Sequence, residues 1–481
     1  METVTRDLAR STDSPTSSSL RIRVLEGRCH LRTPIDQRKP ALASDQELRF
    51  DCAPGGRLTG GLAVPGDKSI SHRAIMLGAI ADGETEITGF LEGADSLATL
   101  AAFRAMGVSI DGPDRGRVVI QGVGLDGLRQ PSQPLDMGNS GTAMRLMTGL
   151  LAGQAFSSTL IGDASLSRRP MRRVTDPLTT MGAHIGTTES GTAPLEITPV
   201  RELRGIDYAL PVPSAQVKSS LLLAGLYASG ETCIREPAPT RDHTERMLAA
   251  FGRPARIDRR RICLPADGRL TATPITIPGD ISSAAFFLVG ASIAPGSDLT
   301  LTSVGINPTR IGIITLLRAM GADIVIEDER LLGGEPVADL HVRSAPLHGI
   351  RIPEDQVPLA IDEFPALFIA AACADGETVL TGAAELRVKE SDRIAVMADG
   401  LMALGIDAEP TPDGMRIRGG APHGGSVDSA GDHRIAMAFA MAALRASGPI
   451  EVRDCSNVDT SFPGFAALAA SAGLDIVVRY G

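Results

Sequence analysis

Eight short segments of this chain set cations, hydroxyls and carboxylates beside glycine or just ahead of an apolar run. In Pro65–Arg73, a strand-like Leu62–Val64 leads into a loop and then a helical pattern. Lys68 and Ser69 would stand at a helix start, where free N–H groups favour an anion. Ser69 and Arg73, four apart, would share a face. The glycine spacing superficially resembles a phosphate loop, but Asp67 intervenes before Lys68 and argues against a nucleotide kinase. Gly138–Arg145, which includes Gly141, offers a second close-approach nest. Ser165–Arg173 packs four arginines into nine residues. Such a loop is either solvated or turns an arginine such as Arg169 inward to grip a carboxylate or phosphate. Ser214, Ala215 and Gln216 open an apolar helix, as an ordinary cap or as donors to a phosphorylated polyol. Arg241 could reach an anion or pair with Glu245 one turn on.

Carboxylates come from the C-terminal half. Asp362 and Glu363 precede the buried-type run Phe364–Ala374. Arg387–Arg393 is expected to open a helix, placing Lys389 and Arg393 on one face with Glu390 three residues before Arg393. Gly431-Asp432-His433-Arg434 leads into another apolar helix. Partial desolvation would make Asp362 or Glu390 a general acid or base; a helix-end salt-bridge network is the other reading.

Composition narrows the setting. The 481 residues imply more than one core, and aromatics at 3 % with no Trp leave that core to Ala, Leu, Ile, Val and Met. A net charge of −10 argues against a nucleic-acid partner but permits a local basic pocket. The six cysteines lack metal-ligand spacing and read as buried free thiols of a reducing cytoplasm. No apolar stretch approaches the roughly 20 residues of a membrane span, and no secretory leader is evident. Of 47 basic residues only four are lysine (Lys39, Lys68, Lys218 and Lys389), so each surviving lysine is a candidate for work arginine's planar fork cannot do.

The elements that must carry these residues repeat. Residues 1–56, with nine basic and eight acidic side chains and no periodicity, read as a disordered extension. Beyond them a small-residue turn, a short β stretch, a polar loop and an amphipathic helix recur. The helices are expected to stop at Gly107, Gly182, Gly252, Gly321, Gly405 and Gly473, between 68 and 84 residues apart. Asp95 is the expected N-cap of the first such helix. Six α/β units divide naturally as three and three. The loops ahead of their helices would then converge on one cleft able to bind small polyanions.

The segments GDKSISHR (66–73), GNSGTAMR (138–145), SRRPM (167–171), SAQVKSS (214–220), TRDHTE (240–245), IDEFPAL (361–367), RVKESDR (387–393) and GDHRIAMA (431–438) resemble the 5-enolpyruvylshikimate-3-phosphate synthases, in the family's order and from about Arg57 to Gly481. SAQVK and TRDHTE resemble its bacterial class II branch. The resemblance implies a two-lobed inside-out α/β barrel of six βαββαβ-type units, with an upper lobe at 67–279 and a lower lobe at 57–66 plus 280–481. It implies transfer of the enolpyruvyl group of phosphoenolpyruvate to the 5-hydroxyl of shikimate 3-phosphate by addition and elimination, on the path to chorismate and the aromatic amino acids.

Carried over segment by segment, Lys68, Ser69, Arg73, Ser214, Ala215, Gln216, Arg241, Asp362 and Lys389 would hold shikimate 3-phosphate. Lys68, Gly141, Arg169, Gln216, Arg393 and Arg434 would hold phosphoenolpyruvate. Asp362, Glu390 and Lys68 would be catalytic. No cofactor or metal is called for, and a cytoplasmic monomer without nucleic-acid or membrane partners is expected. Thr460 stands where class I members carry Lys, and Leu146 where they carry Pro. Two alternatives stay open: the UDP-N-acetylglucosamine enolpyruvyl transferase, which shares the fold but carries Asn after its Lys and a loop Cys absent from 165–173, and a catalytically silent anion-binding protein.

Overall fold

A computed structural model describes residues 48–481. Twelve α-helices lie among them: α1 (Lys68–Ile80), α2 (Ala94–Ala105), α3 (Gly141–Ala152), α4 (Arg172–Thr180), α5 (Ala215–Gly225), α6 (His243–Ala250), α7 (Ile281–Ile293), α8 (Gly312–Ala319), α9 (Phe364–Ala372), α10 (Arg393–Ala403), α11 (His433–Ala442) and α12 (Phe465–Ala472). They alternate in kind. The odd-numbered helices are apolar nearly all round and are buried; every residue of α7 and α9 is inaccessible. Each even-numbered helix keeps one exposed face and stops at a glycine foreseen from sequence, all six with positive φ.

Six of the seven sheets among the described residues share one strand pattern. Leu135–Asp136 runs parallel to Ser158–Ile161, which is antiparallel to Leu195–Thr198, which is antiparallel to His184–Gly186. The same order recurs in four other sheets. In the sixth, Glu377–Leu380, Gly414–Arg418 and Asp407–Thr411 form three strands, and the bridge Arg351↔Val379 stands where the parallel edge strand would be. The six repeats read from sequence are thus six sheet-and-helix-pair units.

Their apolar faces make two separate cores. One is drawn from residues between Ile70 and Ile277, the other from Phe50–Val64 together with Ile281–Leu474. The chain therefore passes between cores twice, at 64–70 and at 277–281, and the crossings lie side by side through a Gly66↔Gly279 bridge. Only glycine fits at Gly66, where a Cβ would sit 1.9 Å from the Gly89 carbonyl oxygen.

Two expectations are corrected. The supposed extension ends too late: Leu48–Cys52 is an inner strand, antiparallel to Ile450–Arg453 and to Ile476–Tyr480. Its alternation buries Phe50 and Cys52, a pattern too short to stand out beside the following Pro and Gly. Residues 1–47 lie outside the described residues. Nor are all the cysteines free thiols. Cys233 and Cys263 face each other on adjacent antiparallel strands, with Cα atoms 4.0 Å apart, and are bonded. Cys52, Cys373 and Cys455 are free, and burial pushes the thiols of Cys52 and Cys373 up to about 12. No helix among the described residues is long and apolar enough to cross a membrane.

Candidate active site

The six inner helices begin at one place. Lys68 of α1, Gly141 and Thr142 of α3, Gln216 of α5, Ser282 of α7, Asp362 just ahead of α9, and His433 and Arg434 of α11 all line one cavity of about 110 Å³. Their N-terminal dipoles thus add to the field of the side chains. Nine basic and five acidic side chains line it, a local excess of four positive charges in a chain whose net charge is −10. A second compartment of about 490 Å³ shares Gln216, Arg241, Asp362 and Lys389 with the first and adds Ser214 and Ala215.

Local capping explains several positions. Asp67 caps α1 through the Ile70 amide, which leaves Lys68 as its first residue. Ser140, Ser214 and Asp432 cap α3, α5 and α11 in the same way. Of the four arginines in 165–173 only Arg169 is buried, while Arg173 reaches the cavity from an exposed position. Its Nη2 donates to Asn139 Oδ1 at 2.7 Å, its Nη1 lies 3.5 Å from Glu390, and its buried Nε has no partner.

On the opposite wall Asp362 gathers four cations from three segments. Arg241 pairs with its Oδ2, and Lys389 Nζ and Arg393 Nη1 lie 3.2 and 3.5 Å from Oδ1. Arg434 donates to the Asp362 carbonyl at 3.0 Å. Glu390 Oε2 accepts from Arg393 Nη2 at 2.6 Å. Burial by itself would raise the Asp362 carboxyl, but Lys389, Arg241, Arg434 and Arg393 hold it well below the usual range. Glu390 is held down likewise, against burial, by Arg393, Arg169, His433 and Lys389. Both carboxylates are ionised in the unliganded site. Burial first, then Arg169 and Arg173, push Arg145 down to about 10, and its Nε is also buried without a partner. A buried guanidinium depressed by neighbouring cations marks a place that favours an anion.

The structure brings Lys68, Ser69, Gly141, Arg169, Ser214, Ala215, Gln216, Arg241, Asp362, Lys389, Glu390, Arg393 and Arg434 to these two compartments. It does not bring Arg73 to either. That guanidinium is 3 % exposed and spends its donors on Thr244, Ser219 and the Ser69 carbonyl. Three local readings change. Helix α10 begins at Arg393, so Lys389 and Arg393 meet at Asp362 rather than along a helical face. Arg241 pairs across the cleft with Asp362, while Glu245 turns to Lys218 at 2.7 Å. Asp95 is not a cap: Gly93 caps α2, and the Asp95 carboxylate takes Lys68 Nζ at 2.6 Å. Sequence reasoning passed over Arg145, which donates to the Gln216 side-chain oxygen, although it stood within a segment already singled out. It also passed over the Arg173–Glu385 pair, 3.0 Å apart, and Arg310, which ties Asp67 and Asp280 at the two crossings. Neither Glu385 nor Arg310 carried any local signal.

Residues 52–468 match the family model for EPSP synthase (3-phosphoshikimate 1-carboxyvinyltransferase). The chain belongs to the EPSP synthase family. A relative named 3-phosphoshikimate 1-carboxyvinyltransferase from Methylococcus capsulatus is 68 % identical over 434 residues, covering 90 % of this chain and 99 % of the relative. Another of that name, from Alkalilimnicola ehrlichii, is 70 % identical over 428 residues, covering 89 % and 96 %. The solved EPSP synthase of Acinetobacter baumannii superposes with a TM-score of 0.82 at 59 % identity, covering 90 % of this chain and all of that one. The enolpyruvyl transferase NikO of Streptomyces tendae, at 17 % identity and a TM-score of 0.73, shares the fold. The two-lobed inside-out barrel of the EPSP synthase family is therefore the architecture built here by six inner helices starting at one cleft.

Proposed function

We propose that this chain transfers the enolpyruvyl group of phosphoenolpyruvate to the 5-hydroxyl of shikimate 3-phosphate, releasing 5-enolpyruvylshikimate 3-phosphate and inorganic phosphate. The observation that carries this reading is the pair of ionised carboxylates, Asp362 and Glu390, inside a cavity with an excess of cations. Each substrate bears a phosphate and a carboxylate, which accounts for that excess. A charge-assisted hydrogen bond contributes roughly 1.5–3 kcal/mol.

Shikimate 3-phosphate takes the larger compartment, with Ser214, Ala215, Gln216 and Arg241 on one wall and Asp362 and Lys389 on the other. Lys68 and Ser69 reach it from α1, and Arg73 fixes the Ser69 carbonyl from behind. Phosphoenolpyruvate takes the smaller compartment, among Lys68, Gly141, Arg169, Gln216, Arg393 and Arg434. Asp362, ionised at neutral pH, accepts the proton of the attacking 5-hydroxyl. Glu390 relays a proton to the methylene carbon, giving a tetrahedral intermediate, and takes one back as phosphate leaves. Glu390 rests ionised, so it takes its proton from solvent before closure, its proton affinity raised as the incoming anion engages Arg393 and Arg169. The lobes, assigned to 67–279 and to 48–66 plus 280–481 on the strength of the two cores, close over the substrates and exclude water. We assign the protein to the cytoplasm as a monomer, with no partner beyond these small molecules.

The test is phosphate release by purified protein with both substrates and with each omitted in turn. Release that needs both, and that Asp362→Ala abolishes, is the expected result. Binding of shikimate 3-phosphate without release would overturn the reaction and leave an anion-binding protein.

A further inference from the structure

Lys68 is held from both lobes at once. Its ammonium has three donors and no acceptor. One goes to Asp95 Oδ2 at 2.6 Å and another to Ser461 Oγ at 2.6 Å. Asp95 is a first-turn residue of α2, whose Leu100 and Phe103 are part of the upper core. Ser461 follows the 3₁₀ turn Ser456–Thr460, and the next residue, Phe462, is 1 % exposed in the lower core. If the lobes separate, Asp95 stays with Lys68, because α1 and α2 share the upper core, while Ser461 leaves with the lower core. One donor remains for the cavity that Lys68 lines.

The backbone beside this contact shows how tightly the lobes meet. A Cβ on Gly93 would lie 2.6 Å from the Thr460 carbonyl oxygen. Gly93 lies two residues before Asp95 and Thr460 immediately before Ser461, so the seam and the ammonium contact close together.

We propose that Ser461 is a positioning residue for Lys68. It is the lower-lobe half of a two-lobe clamp that places the ammonium in the cleft only when the Gly93–Thr460 seam is shut. With the hydroxyl gone, Lys68 falls back on Asp95 and is no longer steered by closure. The kinetic part of this inference rests on the transferase reading; the clamp itself does not.

The experiment therefore reads Lys68 in two ways, in wild type, Ser461→Ala, Ser461→Thr and Gly93→Ala. Acetic anhydride labelling of the individual lysines, followed by mass spectrometry, reports how well the ammonium is held. Phosphate-release kinetics with phosphoenolpyruvate varied report how well it works. Ser461→Ala is expected to raise Lys68 labelling several-fold and to lower kcat/KM by about tenfold, the scale of a small misplacement of a reacting group. Ser461→Thr, which keeps the hydroxyl, restores both. Gly93→Ala forces the seam apart with Ser461 intact and raises labelling in the same way. Unchanged labelling in both Ser461→Ala and Gly93→Ala overturns the clamp. Raised labelling in a protein whose wild type releases no phosphate overturns the reaction and leaves the clamp standing.

Discussion

Asp362 and Glu390 share a single guanidinium: Arg393 Nη1 lies 3.5 Å from Asp362 Oδ1, and Arg393 Nη2 lies 2.6 Å from Glu390 Oε2. Arg393 is in turn 1 % exposed and locked by Asp432, whose Oδ2 takes its Nε at 2.8 Å. The two candidate proton-handling groups are therefore set in one rigid frame, in which Arg393 leads the cations that keep Glu390 ionised and joins Lys389, Arg241 and Arg434 in keeping Asp362 so.

Removing the charge of either carboxylate is expected to cost about 10²–10⁴-fold in turnover, the usual range for a positioned acid or base. Asp362→Asn and Glu390→Gln preserve shape, so circular dichroism should match wild type while steady-state phosphate release falls. Loss below tenfold for both would remove them from the proton-transfer role.

Arg393→Lys tests the frame rather than either acid. A lysine supplies one point charge where the fork meets Asp362, Glu390 and Asp432. Both kcat and the affinity for phosphoenolpyruvate should drop together. A variant with kcat intact and only KM raised would confine Arg393 to substrate binding.

Acid should destabilise the fold well before it neutralises the cleft. Burial, followed by the charge of Lys68, pushes His72 and His433 from 6.5 down to about 3. A group whose folded value lies below its unfolded one adds stability in full above the unfolded value and loses it as the pH falls toward the folded one. Each histidine thus removes about 1.4 kcal/mol per pH unit below 6.5. Asp362 and Glu390, also depressed, contribute nothing to this loss until the pH nears their ordinary values of 3.8 and 4.5. Urea unfolding from neutral pH to about pH 5 should show the slope, and His72→Gln should flatten it by about half. A flat wild-type profile over that range would contradict the assignment.

Gly141 leaves room in the smaller compartment. A Cβ there would lie 3.1 Å from Nη1 of Arg169, which is assigned to phosphoenolpyruvate, and 3.6 Å from Nη1 of its neighbour Arg145. We expect glyphosate to compete with phosphoenolpyruvate in the native protein and to be weaker by tenfold or more in Gly141→Ala, on the scale of one lost charge-assisted contact. An inhibition titration with no competition at millimolar glyphosate would sink the idea.

Lys218 is a stability residue. Its ammonium is 1 % exposed and lies 3.0 Å from Glu236 and 2.7 Å from Glu245. Lys218→Met strands two buried carboxylates, and breaking such a pair costs about 3–5 kcal/mol. The urea midpoint should fall accordingly, with the slope unchanged. A shift worth less than 1 kcal/mol would mean that water reaches these acids.

Local physics made much of the scaffold readable. The helix-stopping glycines, the cap Ser214 and the apolar run of α9 each depend on neighbours a few residues away. The rare lysines were informative too: Lys68 and Lys389 lie in the cleft, and Lys218 does a different buried task. Local rules did not decide partners. Asp95 had the type and place of a cap but found Lys68; Arg241 had Glu245 one turn away but found Asp362. Glu390 did reach Arg393 three residues on, yet not on a helix, because α10 starts only at Arg393.

By itself, then, the sequence determined the repeat, the helix ends and the stock of anion-binding groups, because turns, caps and periodicity are short-range. Which cation meets which carboxylate was decided only by the tertiary structure. Arg241 and Asp362 are 121 residues apart, and Lys68 and Ser461 are 393. Such pairs form because two cores bring six helix starts to one cleft. Ionic and hydrogen-bond energies depend on that spatial separation, which no spacing along the chain encodes.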